Sequence, residues 1–95
     1  MTSVAGDVPV FRHSPEVSWR RVGDTMILLD FRTSSYYTLD EIGAWIWERM
    51  LEGAGMDDIV RGMTEEYSID EASVRRDAAE FFRELEDERL IVQDR

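Results

Sequence analysis

Side chains able to do covalent or acid-base chemistry are sparse in this sequence, and their spacing argues against catalysis. His13 is the sole histidine, set between Arg12 and Ser14. It has no second histidine and no cysteine to complete a metal cluster or a nucleophile pair, so it reads as a surface residue. Asp57-Asp58 stands where a helix begins, a place where carboxylates satisfy exposed amides and the positive end of the helix dipole more often than they form an acid-base pair. Glu86-Asp87-Glu88 reads as a solvated helix face. All basic residues are arginine, which removes a Schiff-base lysine and a phosphate-loop lysine together. No glycine-rich nucleotide loop or nucleophile elbow occurs. The chain is expected to be no enzyme, with no cofactor and no metal.

What stands out instead is backbone. Ser35-Tyr36-Tyr37-Thr38-Leu39 is a strand without charge or proline, placed last in a small sheet. Such an edge has little to prevent pairing with a foreign peptide, so the chain reads as a peptide-binding module.

The elements that must position this edge follow from composition and pattern. Ninety-five residues with 43% hydrophobic content make one domain, burying roughly two-thirds of its unfolded surface. Residues 1–15 hold both prolines and read as an N-terminal arm, leaving 16–95 as the domain. Val17 to Val22 and Thr25 to Phe31 read as strands, with Gly23-Asp24 and Arg32-Thr33-Ser34 as reversals, so three strands form an antiparallel meander. Asp40 then caps a helix that Gly53-Ala54-Gly55 stops, because glycine accepts the left-handed conformation that closes a helix. Met56, Ile59, Val60, Met63 and Tyr67 repeat at helical spacing in a second helix. Asp70 caps a third and longest helix with a stripe of Val74, Ala78, Phe81 and Leu85, widened by Phe82. Leu90-Ile91-Val92 is an apolar patch expected to pack on the sheet or the first helix.

Three strands followed by three helices predict an α+β fold, winged helix-turn-helix-like. That class invites a DNA-binding reading, which charge opposes. The formal net charge is −10, and residues 70–89 carry eight acids against four arginines, where a recognition helix needs cations to replace phosphate counterions. No nucleic-acid partner is expected. The start of the sequence lacks a signal-peptide pattern, and no run approaches the ~20 apolar residues of a membrane span, so a cytoplasmic protein without a membrane partner is expected.

The series Tyr36-Tyr37-Thr38-Leu39-Asp40, Gly43-Ala44-Trp45-Ile46-Trp47, Gly55-Met56-Asp57-Asp58-Ile59-Val60, Tyr67, and Val74 through Leu85 with Leu90-Ile91 resembles the PqqD family from about Pro15 to Val92. The resemblance implies a recognition element for ribosomally made, post-translationally modified peptides. This stand-alone acidic chain most resembles the leader-binding protein of lasso-peptide pathways. The implied mechanism adds the leader of a precursor as an antiparallel strand to the third strand, in the groove it forms with the third helix. Mapped residue by residue, Ser35, Tyr36, Tyr37, Thr38 and Leu39 would supply backbone hydrogen bonds, and Val74, Asp77, Ala78 and Phe81 would line the groove. The implied partners are the precursor leader peptide, a leader peptidase and a cyclase. Related lasso leaders present a Tyr-x-x-Pro segment and basic residues. Two alternatives are a PqqD-type peptide chaperone for another modified-peptide or quinone-cofactor pathway, and an acidic winged-helix protein that binds a regulator.

A helical wheel sets Asp77, Glu84 and Glu88 on one flank of the third helix's apolar stripe, so this flank would attract basic leader residues if it faces the groove. Arg20 and Arg21 guard the first strand, which leaves the third as the receptive edge. Trp47 and Trp19 read as structural, and Tyr37 as core through its same-face neighbour Leu39, leaving Tyr36 for groove or surface. Trp45 lies off the Trp47 face, which predicts a second partner surface or a contact with the arm.

Overall fold

A computed structural model describes residues 10–94. The elements run β1 (Val10–His13), β2 (Val17–Val22), β3 (Thr25–Asp30), β4 (Ser35–Leu39), α1 (Glu41–Leu51), α2 (Met56–Tyr67), α3 (Glu71–Asp87) and β5 (Ile91–Asp94). The expected α+β architecture is present, a three-stranded antiparallel sheet β2-β3-β4 followed by three helices.

Alternation builds the sheet. Met26, Leu28 and Asp30 point inward from β3, and Leu39 joins them from β4, so the inner face meets α1. Gly23, at φ +62°, opens a two-residue loop that pairs Val22 with Thr25, a conformation that glycine reaches without strain. Behind the sheet, Ala44, Ile46, Trp47 and Met50 of α1 meet Ile59, Val60 and Met63 of α2, with Val74, Phe82 and Leu85 of α3 closing the core. Both anticipated caps are in place: Asp40 accepts from the Gly43 amide at 2.8 Å and Asp70 from Ser73 at 3.0 Å.

The described part of the N-terminal arm folds back onto the domain. Residues 1–9 lie outside the described residues, but Val10–His13 forms β1 and pairs antiparallel with β5 in a second, two-stranded sheet. Phe11 stacks on Phe82 at 4.7 Å between ring centroids, which fastens this ribbon to α3. Of the Leu90-Ile91-Val92 patch, Leu90 and Ile91 are buried, while Val92 is exposed. His13, expected on the surface, is half-buried, edge-on to Trp19 at 4.6 Å, and Trp19 in turn meets Trp47 at 5.7 Å.

Trp45 also departs from expectation. It is half-buried against α2, edge-on to Tyr67 at 6.2 Å and beneath the Arg49 guanidinium at 5.1 Å. Gly62 makes this possible: a Cβ there would lie 2.9 Å from the indole Cη2. Neither a partner surface nor the arm is needed to account for it.

Ser68 ends α2 at φ 54°, ψ 40°, left-handed backbone without glycine. A Ser68→Gly variant is expected to gain roughly 0.5–1 kcal/mol by relieving that conformation. Urea unfolding with an unchanged slope checks it.

Candidate functional site

Backbone direction along β4 decides what its edge offers. The two-residue hairpin closes on Val22 and Thr25, and the Phe31 amide donates to the Glu16 carbonyl at 2.9 Å. Hydrogen-bonded and non-bonded pairs alternate in an antiparallel ladder, so Thr25, Ile27 and Leu29 turn their backbone groups to β2. Met26, Leu28 and Asp30 therefore turn theirs to β4, where their partners are Leu39, Tyr37 and Ser35. This leaves the amides and carbonyls of Tyr36 and Thr38 pointing off the sheet. No described strand pairs with that side of β4.

Beside this edge runs α3, and two cavities lie along the channel that α3 forms with β4 and the start of α1. One, of about 370 Å³, has Tyr37, Thr38 and Leu39 on one wall and Phe81, Glu84 and Leu85 on the other. The other, of about 200 Å³, lies between the start of α1 and α3. Asp40, Ile42 and Ile46 face Val74, Asp77 and Ala78 across it. Phe81 is the one residue that lines both.

Of the ten residues singled out from sequence, eight line this channel. Tyr37, Thr38, Leu39, Phe81 and Glu84 share the larger cavity, while Val74, Asp77 and Ala78 join Phe81 at the smaller one. Val74 and Ala78 are buried and form its floor. Ser35 and Tyr36 line neither. Ser35 sits opposite Asp30, and Tyr36 is 71% exposed on the outer sheet face, so Tyr36 reaches the edge only through its backbone.

The channel is acidic. Glu84, Asp87 and Glu88 surround the larger cavity and Asp40 and Asp77 the smaller, with no arginine lining either among the described residues. The flank that the helical wheel marked as negative therefore does face the channel.

Tyr37 is half-buried instead of core, and its hydroxyl donates to Glu88 Oε1 at 3.0 Å. The phenol titrates above its ordinary value because Glu88 holds its proton, with burial adding to the effect. This bond ties β4 to the end of α3. A stronger tie lies behind it. Asp30 is 1% exposed, and Arg32 grips its carboxylate through Nε at 3.0 Å and a terminal nitrogen at 2.7 Å. The same terminal nitrogen donates to the Arg89 carbonyl at 3.0 Å and the Glu88 carbonyl at 3.3 Å. The β3–β4 turn is thus fastened to the end of α3, setting the width of the channel there. The side-chain hydrogen bond from Arg32 holds the Asp30 carboxyl below the usual carboxylate range, against the opposing effect of burial.

Sequence reasoning missed Ile42 and Ile46 as channel walls and Arg32 as the clasp. The signals were present: Ile42 lies two residues after the Asp40 cap, and Asp30 falls on the inward phase of β3 two residues before an arginine.

Two solved structures resemble the chain. "TbiB1 in Complex with the TbiA(beta) Leader Peptide" has 34% identity and a TM-score of 0.81, covering 84% of this chain and 93% of that one. "Lasso peptide synthetase B1 complexed with the leader peptide" has 30% identity and a TM-score of 0.82, covering 86% and 96%. No curated protein matches. No described helix is long and apolar enough to cross a membrane. The family model for coenzyme PQQ synthesis protein D (PqqD) matches residues 25–91, from the first residue of β3 to the first of β5, and the chain belongs to the PqqD family.

Proposed function

We propose that this chain binds, without catalysing any reaction, the leader segment of a ribosomally made precursor peptide in the cytoplasm, and delivers it to a leader peptidase and a cyclase in lasso-peptide maturation. One observation carries the reading: the unpaired Tyr36 and Thr38 edge of β4 runs beside a channel floored by apolar residues of α3. An extended guest strand would satisfy those backbone groups, and its alternate side chains would enter the cavities. The two similar structures, both described as leader complexes, support the choice of guest.

The carboxylates along the channel favour a guest with basic residues and accelerate its approach, an effect that salt weakens. Delivery works by proximity. A held leader raises the local concentration of its scissile bond at the protease without any chemistry on this chain.

Titration of isotope-labelled protein with the synthetic leader tests the reading. Shifts are expected in β4 and α3. Hydrogen exchange should slow at Tyr36 and Thr38 on binding, while Ser35, Tyr37 and Leu39, already turned to β3, change little. Responses confined to β2 would reject the proposed edge. The family's description in terms of coenzyme PQQ synthesis favours a second reading, the same edge serving a quinone-cofactor precursor. Competition between the two precursor peptides for the labelled protein separates them.

A further inference from the structure

We infer that Gly43 is a positioning residue of the channel: the space left by its missing side chain seats the Phe81 ring and so fixes the partition between the two cavities. The inference rests on the leader-binding reading for its functional consequence.

Backbone conformation does not call for glycine here. Gly43 lies in the first turn of α1 and its φ is not positive, and glycine is the weakest helix former after proline. The requirement is spatial. A Cβ on Gly43 would stand 3.2 Å from Phe81 Cε1, 3.3 Å from Asp40 Oδ1 and 3.3 Å from Leu39 Cβ. Two of these neighbours are fixed. Asp40 Oδ1 is held by the Gly43 amide at 2.8 Å, and Leu39 is buried and paired with Met26. Phe81 is half-buried, bordered on one side by Phe82, edge-on at 5.7 Å, and on the other by the open channel. A methyl at position 43 therefore needs the ring to give by a few tenths of an ångström, and the side open to it is the channel. Phe81 alone lines both cavities, so the displacement reshapes both sites at which guest side chains would anchor.

The test uses Gly43→Ala, Phe81→Leu and the double variant in the full chain, with ring-labelled phenylalanine. Without leader, Gly43→Ala is expected to keep its helical signal and to shift the Phe81 ring resonances. Its affinity for the synthetic leader falls about fivefold to tenfold. In the Phe81→Leu background, which lacks the contacted ring edge, Gly43→Ala changes affinity less than about twofold. Unmoved Phe81 resonances, or an equal loss of affinity in both backgrounds, would overturn the inference. Should Gly43→Ala not fold, the double variant decides the matter: recovery of the fold supports the seat, and continued failure removes it. A leader that does not bind the wild-type chain defeats the leader-binding reading, and the ring resonances of the free variant then settle the seating by themselves.

Discussion

A Thr38→Pro variant is expected to keep its fold while its leader affinity drops tenfold or more. Proline lacks an amide hydrogen, and at position 38 that hydrogen points off the sheet, so the β3–β4 ladder loses nothing. The guest strand loses its donor, and the pyrrolidine ring stands where a guest carbonyl would approach. A carbonyl buried without its partner costs about 1–3 kcal/mol. Each 1.4 kcal/mol is about a factor of ten in the dissociation constant. The neighbouring change gives the contrast. Tyr37→Pro deletes a hydrogen bond to Leu28 inside the sheet and should lower the melting temperature as well as binding. Calorimetric titration and thermal melts of both variants check the pair. Thr38→Pro binding the leader as tightly as wild type would exclude strand addition at β4.

The second large effect concerns Arg32. Its loss strips the buried Asp30 carboxylate of its counter-charge, leaving it the residue 32 amide at 2.9 Å, and releases the carbonyls of Glu88 and Arg89. Breaking one side of such a pair is far more damaging than its net contribution suggests. Arg32→Ala should melt roughly 10 °C or more below wild type. The pH profile identifies the cause. In wild type the folded Asp30 titrates below its ordinary value of 3.8, so its contribution is complete above that value and disappears as pH falls through the lower folded one. Without the Arg32 side chain the largest lowering influence is gone while burial still acts, so the folded carboxyl titrates higher than in wild type. The variant's deficit should then grow as pH rises from about 3 to about 7. Asp30→Asn in the same background flattens that dependence. A deficit independent of pH would assign the effect to the freed carbonyls instead.

Local patterns made most of this fold legible. The alternation in β3, the Asp40 and Asp70 caps and the apolar stripes of α2 and α3 each express a rule that acts within a few residues, and each is found where the spacing places it. β1 was illegible for the opposite reason. Val10–His13 is short, follows a proline and finds its partner some eighty residues along the chain, where pairing leaves no local trace. Trp45 misled because a helical wheel ranks residues against one face, whereas Gly62 opens a second contact on α2. The channel was half legible. Its strand and its α3 wall follow from period and charge, but the contribution of α1 does not, since Ile42 and Ile46 share the stripe that also carries buried Trp47. Tyr37 shows the same limit: alternation gives the side it faces, and only the distance to Glu88 decides how deep it sits.

The ribbon of first and last strands sets how the domain answers to mechanical load. Val10 is paired with Asp94, so a pull applied at these two residues acts at the same end of the ribbon, across its hydrogen bonds. Antiparallel bonds loaded in this way open one after another, like a zipper, at far lower force than bonds sheared together. β1 and β5 would peel first, while the β2-β3-β4 sheet, which belongs to a separate ladder, carries no tension until they have gone. Tethering the molecule by these strands should therefore leave the receptive edge unstretched up to the rupture of the ribbon.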